Sequence, residues 1–115
     1  MILVSFDIDG TLETGDPPGP LTLDMVRLAK SSGWVIGSAS DRTVSEQEKM
    51  WQSADISVDF VGHKHMLQGI KGRFSCRRHI HIGDTNIDER YAREAGFEFF
   101  YANEIPLPGA SGWVL

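Results

Sequence analysis

The feature that most constrains this chain is the regular alternation of short apolar runs with stretches of helical period. Met1–Phe6, Trp34–Ala39, Ser57–Gly62, His79–Ile82 and Phe97–Tyr101 have the length and composition of buried strands, the third being the weakest. Leu21–Ser32 carries Leu21, Met25, Leu28 and Ala29 at helical spacing, with Gly33 placed to stop it. Asp41–Ser53 contains two capping-box spacings, Thr43 to Glu46 and Ser45 to Glu48. Ile87–Ala95 is a helix closed by Gly96, and Lys64–Ile70 is a short one because Gly69 and Gly72 interrupt it. Strand and helix in this alternation predict βαβ units and therefore a parallel sheet covered on both faces. The expected fold is a three-layer α/β sandwich around a Rossmann-like, five-stranded parallel sheet. The Gly- and Pro-rich Glu13–Pro20 reads as a loop. Ile105–Leu115, with two prolines, two glycines and Trp113, reads as packing across the sheet or serving a partner subunit.

The 115 residues suit one domain, and 41% hydrophobic residues are enough for a core of its own. No uncharged apolar stretch approaches the roughly 20 residues that span a bilayer, so a membrane partner is not expected. Asp7 and Asp9 interrupt the first apolar run and no basic segment precedes it, which argues against a signal peptide. The single cysteine, Cys76, has no internal partner; together these features point to a reducing, cytoplasmic setting. A net charge of −5 argues against nucleic acid as a partner. The basic group Lys71, Arg73, Arg77 and Arg78 reads as a solvated loop.

In open α/β sheets ligands bind beyond the C-terminal ends of the strands, so the residues just after each apolar run carry the functional information. After the first come Asp7, Ile8, Asp9, Gly10 and Thr11; after the second, Ser40, Asp41 and Arg42; after the third, Lys64; after the fourth, Gly83 to Asp88. Asp7 and Asp9 leave an extended strand on the same face. Carboxylates this close repel unless a cation intervenes, and with Asp84 and Asp88 they form a set of hard oxygen donors suited to Mg²⁺. Gly10 and Gly83 permit tight turns and close backbone approach. Ser40 and Lys64 suit phosphate oxygens, with Ser38 and Lys71 as their nearest rivals. Arg42 is placed to touch substrate. His79 and His81 share one face of a strand and read as packing or hydrogen-bonding residues, while His63 and His65 flank Lys64. No zinc-type Cys/His spacing exists.

The run Phe6-Asp7-Ile8-Asp9-Gly10-Thr11-Leu12 resembles the first motif of the haloacid dehalogenase-like hydrolases, and Gly83-Asp84-Thr85-Asn86-Ile87-Asp88 resembles their fourth. Ser40 and Lys64 are similar to the second- and third-motif residues, in the same order and strand context. The resemblance covers about Met1 to Tyr101. It implies a Mg²⁺-dependent phosphatase in which Asp7 is the nucleophile and Asp9 the general acid and base. Asp7, the Asp9 backbone carbonyl and Asp84 would bind Mg²⁺, with Asp88 nearby. Ser40, Lys64 and the Gly10–Thr11 turn would bind phosphate. An acidic residue at position 9 places the chain with the phosphatases and phosphotransferases of that family rather than with its dehalogenases.

The segments Leu12–Gly33 and Asp41–His63 have no room for the cap domains such enzymes commonly insert. The expectation is an open, capless catalytic core whose phosphorylated substrate is selected by a loop, by Ile105–Leu115, by a second copy of the chain, or by its own bulk. Two other readings share parts of the pattern. A receiver-type signalling module needs an acceptor aspartate after the third strand, where this chain has Gly62-His63-Lys64. A catalytically idle or slow phospho-acceptor module of the same fold keeps every motif residue and differs only in turnover.

Overall fold

The apolar runs become five parallel strands, in a computed structural model that describes residues 1–105. They are β1 (Ile2–Phe6), β2 (Val35–Ala39), β3 (Phe60–Gly62), β4 (Arg78–Gly83) and β5 (Glu98–Tyr101). The strand order is β3-β2-β1-β4-β5. β1 and β2 are buried at every position, as strands covered on both faces must be. The chain winds outward from β1 to β3, crosses back, and adds β4 and β5 on the other side. The order therefore reverses between β1 and β4, the position at whose C-terminal ends open α/β sheets bind ligands.

Helices α1 (Leu23–Ser31) and α2 (Val44–Ser53) cover one face, and α3 (Leu67–Arg73) and α4 (Asn86–Glu94) the other. On the first face Met25, Val26, Ala29 and Trp51 pack on Val4, Phe6, Ile36, Ile80 and Ile82. On the second, Leu67, Ile70 and Ala92 pack on Leu3, Val35, Ala39 and Phe60. Burying each large apolar side chain stabilises the fold by about 1.5–3 kcal/mol. Only a loop and α1 separate β1 from β2, and α2 and a short turn separate β2 from β3. Neither connection contains a cap. No helix among the described residues is long and apolar enough to cross a membrane.

Three threonines start helices by accepting a hydrogen bond from a backbone N–H three residues on: Thr22 from Met25, Thr43 from Glu46 and Thr85 from Asp88. Of the two capping-box spacings before α2, it is the one at Thr43 that begins the helix. The sequence expectation for Lys64–Ile70 needs correction. Lys64–Met66 is a 3₁₀ turn, and α3 then runs through both Gly69 and Gly72 to Arg73. Each glycine costs a helix interior about 1 kcal/mol, but Leu67 and Ile70 are buried against the sheet and that packing prevails. The third strand is also shorter than expected, three residues at the edge of the sheet. The basic group is a loop only at Arg77: Lys71 and Arg73 end α3, and Arg78 opens β4 paired with Glu98 at 2.8 Å. Beyond Ile105, the expectation for Ile105–Leu115 lies outside the described residues.

One buried polar side chain ties the second and third strand ends together. Gln47 accepts from Ser38 Oγ at 2.7 Å and donates to the carbonyls of Arg42 at 2.9 Å and Gly62 at 3.0 Å. Trp51 Nε1 donates to the same Ser38 hydroxyl at 2.9 Å. Replacing Gln47 by Leu leaves these groups buried and unpaired. The expected cost, read from urea unfolding, is about 1–3 kcal/mol.

Candidate active site

The site forms where β1 and β4 end side by side. The Asp7 N–H donates to the Ile82 carbonyl at 2.9 Å, which carries the ladder one residue past β1 and fixes where the Asp7 side chain emerges. That side chain is almost fully buried. The chain then turns sharply, with the Thr11 and Leu12 N–H groups both returning to the Ile8 carbonyl. Gly10 sits at φ +75°, a backbone region that favours glycine. A Cβ there would also lie 1.9 Å from Asp84 Oδ2. Gly83 is equally constrained, since a Cβ on it would meet Asp88 Cγ at 2.3 Å. The two glycines thus allow the β1 turn, Asp84 and Asp88 to close on one another.

Asp7, Asp84 and Asp88 each bring a carboxylate oxygen within 4.8 Å of the others. Lys64, on the turn just after β3, reaches into this group. Its Nζ lies 3.2 Å from Asp88 Oδ1, 3.6 Å from Asp7 Oδ2 and 3.3 Å from Asp41 Oδ2. Burial works against the Lys64 charge, but Asp7, Asp88 and Asp41 outweigh it and raise its pKa. Asp7 goes the other way for a carboxylate. Burial and the neighbouring Asp88 charge overcome Lys64 and push Asp7 from its ordinary 3.8 up to about 8.

Asp88 stays charged against its own burial. His81 Nε2 donates to its Oδ1 at 3.0 Å, and Lys64 faces the same oxygen. Thr85 Oγ1 and Thr85 N–H donate to its Oδ2 at 2.9 Å and 3.3 Å. Burial raises its pKa, yet these partners outweigh that and hold Asp88 well below the usual carboxylate range. An ionised carboxylate only accepts, so the pairing assigns the proton to His81 Nε2, and in the neutral ring Nδ1 accepts from Ser5 Oγ at 3.0 Å.

Asp9 stands apart from this cluster. Arg42 donates to it through Nη2 at 2.6 Å and Nε at 3.2 Å, and the Asp16 N–H adds a bond at 2.8 Å. The Arg42 hydrogen bonds hold Asp9 below the ordinary carboxylate range, and Asp9 in turn raises Arg42. Ser40, at the end of β2, accepts from the Arg42 N–H at 3.1 Å.

The sequence candidates therefore fall into place as follows. Asp7, Asp84, Asp88 and Lys64 meet in one cluster, and Asp9 with Arg42 forms a second pair joined to it through the turn that follows β1. Ser40 terminates β2 at the same end of the sheet, whereas its rival Ser38 is committed to Gln47 and Trp51 in the core. Lys71, the rival of Lys64, donates instead to the Gly96 carbonyl. Gly10 and Thr11 shape the turn: their N–H groups are taken by the carbonyls of Pro17 and Ile8, and the buried Thr11 hydroxyl has no partner among the described residues. His79 packs beside Phe97 with ring centroids 5.7 Å apart and the ring planes tilted by 58°.

Sequence reasoning read His81 as a packing or hydrogen-bonding residue and did not identify Asp88 as its partner. It also missed Thr85, although the Thr85-to-Asp88 spacing is that of a capping box. The three carboxylates make a hard-oxygen donor set that fits Mg²⁺. Asp7 and the exposed Asp84 are its most accessible members, because both oxygens of Asp88 are already engaged. No protein-family model matches the chain, and no curated protein or solved structure matches it either.

The raised Asp7 pKa makes a prediction for the metal-free protein. The unfolded chain releases this proton near pH 4 and the folded chain near pH 8, so the unfolded state binds fewer protons between these values. Stability falls as pH rises through that window. Asp7→Asn removes this loss and raises unfolding free energy in chelator at pH 7.5 by about 1–2 kcal/mol, measured by urea titration at several pH values.

Proposed function

We propose that the protein is a Mg²⁺-dependent phosphomonoesterase of the haloacid dehalogenase-like kind, working through an aspartyl-phosphate on an open, capless site. The observation that carries this reading is the placement of Asp7. It is a buried carboxylate at the end of the central strand, beside Lys64 and two further carboxylates, with a second acid-base carboxylate two residues on. Structural ion pairs have no need of so many like charges; a site that gathers a cation and a phosphate does.

In this mechanism an Asp7 oxygen attacks phosphorus in line with the ester oxygen. The phosphorus–oxygen bond to the alcohol breaks, and Asp9 gives its proton to the departing alkoxide. Asp9 then takes a proton from water, which attacks phosphorus and releases phosphate from Asp7. Lys64 and Ser40 face the charge on the transferring oxygens. Asp7, Asp84 and the Asp9 carbonyl would hold Mg²⁺, which would supply the positive charge that lets a carboxylate approach a phosphate dianion. Asp88, fixed by His81 and Thr85, holds Lys64 in position. In the free protein Arg42 keeps Asp9 ionised, the form required of a base. An incoming phosphate gives the Arg42 fork a competing anion and frees Asp9 to carry a proton.

The test is phosphate release from an aryl phosphate. Turnover is expected with Mg²⁺ and not in chelator, and Asp7→Asn should lower kcat at least about a thousandfold. Turnover that survives either change refutes the mechanism. Arg42→Ala should raise KM about tenfold by removing a charge-assisted phosphate contact, read from the same assay.

A further inference from the structure

Besides meeting the carboxylates of the cluster, Lys64 lines a cavity of about 170 Å³ together with Asp41, His63, His65 and Tyr91. Pockets for drug-sized ligands run to roughly 300–1,000 Å³, so this one suits a single ring or a chain of a few heavy atoms. His63 and His65 form a paired wall, their ring centroids 5.6 Å apart. Asp41 stands at the mouth with 85% of its side chain exposed, and among the described residues Lys64 is its one side-chain partner.

A carboxylate in that position needs explaining. It competes with phosphate for Lys64, and once phosphate takes the lysine Asp41 is left facing a dianion. An ionised carboxylate only accepts hydrogen bonds. A substrate whose alcohol carries a donor satisfies Asp41 at that moment, whereas one without a donor leaves two negative groups facing each other.

We propose that Asp41, with the walls formed by His63, His65 and Tyr91, is a leaving-group subsite that selects phosphomonoesters bearing a hydroxyl or ammonium a few bonds from the ester oxygen. This rests on the phosphatase reading above. Both donor types share the chemistry Asp41 requires, and the substrate arms of the test separate them.

The experiment compares kcat/KM for propyl phosphate, glycerol 3-phosphate and 2-aminoethyl phosphate, with an aryl phosphate as reference, in the wild type and in Asp41→Ala. Asp41 is exposed, so the substitution leaves the core intact. The wild type should favour one or both donor-bearing esters over propyl phosphate by about tenfold to a hundredfold. The favoured arm identifies hydroxyl or ammonium as the group recognised. Asp41→Ala should erase the preference in both directions: the donor-bearing esters slow, while propyl and aryl phosphates speed up because Lys64 loses a competing anion. If the aryl phosphate is hydrolysed but the preference is absent, or is the same in both proteins, the subsite is refuted and the phosphatase reading stands. If the wild type releases phosphate from none of the four, the phosphatase reading falls and the subsite with it.

Discussion

The ammonium of Lys64 is the charge on which the rest of the site depends. Asp7 and Asp88 are both buried, and two buried carboxylates this close are costly unless a cation lies between them. Lys64 is that cation, itself nearly inaccessible to solvent. The resulting balance is unequal. Asp88 has four donors around it and keeps its charge, while Asp7, with fewer, is pushed toward the protonated form. The less satisfied carboxylate is the one at the end of the central strand, where a ligand can relieve it.

The backbone makes this crowding achievable. Gly10 and Gly83 sit where any Cβ would fall within bonding or near-bonding distance of Asp84 or Asp88. Parallel pairing in the order β3-β2-β1-β4 then brings four loops to one end of the sheet. Gln47 joins two of them, bonding the Arg42 carbonyl on one side and the Gly62 carbonyl on the other. The groups carrying Ser40, Arg42 and Lys64 are therefore held by one buried amide as well as by the sheet.

Much of this was legible in the sequence. Apolar runs closed by Asp7, Ser40, Lys64 and Gly83-Asp84 announced both the strands and the end of the sheet where these polar groups gather, because buried strands must shed their polar residues at their ends. Side-chain pairings between distant elements were not legible. His81 lies seven residues before Asp88, and alternation along a strand says which face it takes but not what it meets. The sequence puts Asp41 after the second apolar run, but nothing in it says that this carboxylate meets Lys64. The continuation of α3 through Gly69 and Gly72 was misread because local propensity was weighed without the burial of Leu67 and Ile70.

β3 is three residues long, lies at the edge of the sheet and pairs with β2 alone. Its last residue, Gly62, is separated from Lys64 by one position. The cation that balances the buried carboxylates is thus mounted on the element with the fewest cross-strand bonds. Local opening of an edge strand takes less free energy than global unfolding, and here it would withdraw Lys64 and leave Asp7 and Asp88 facing each other without it. Edge fraying and loss of electrostatic balance are one event in this molecule, so whatever binds between Lys64 and Asp7 also fastens the margin of the sheet.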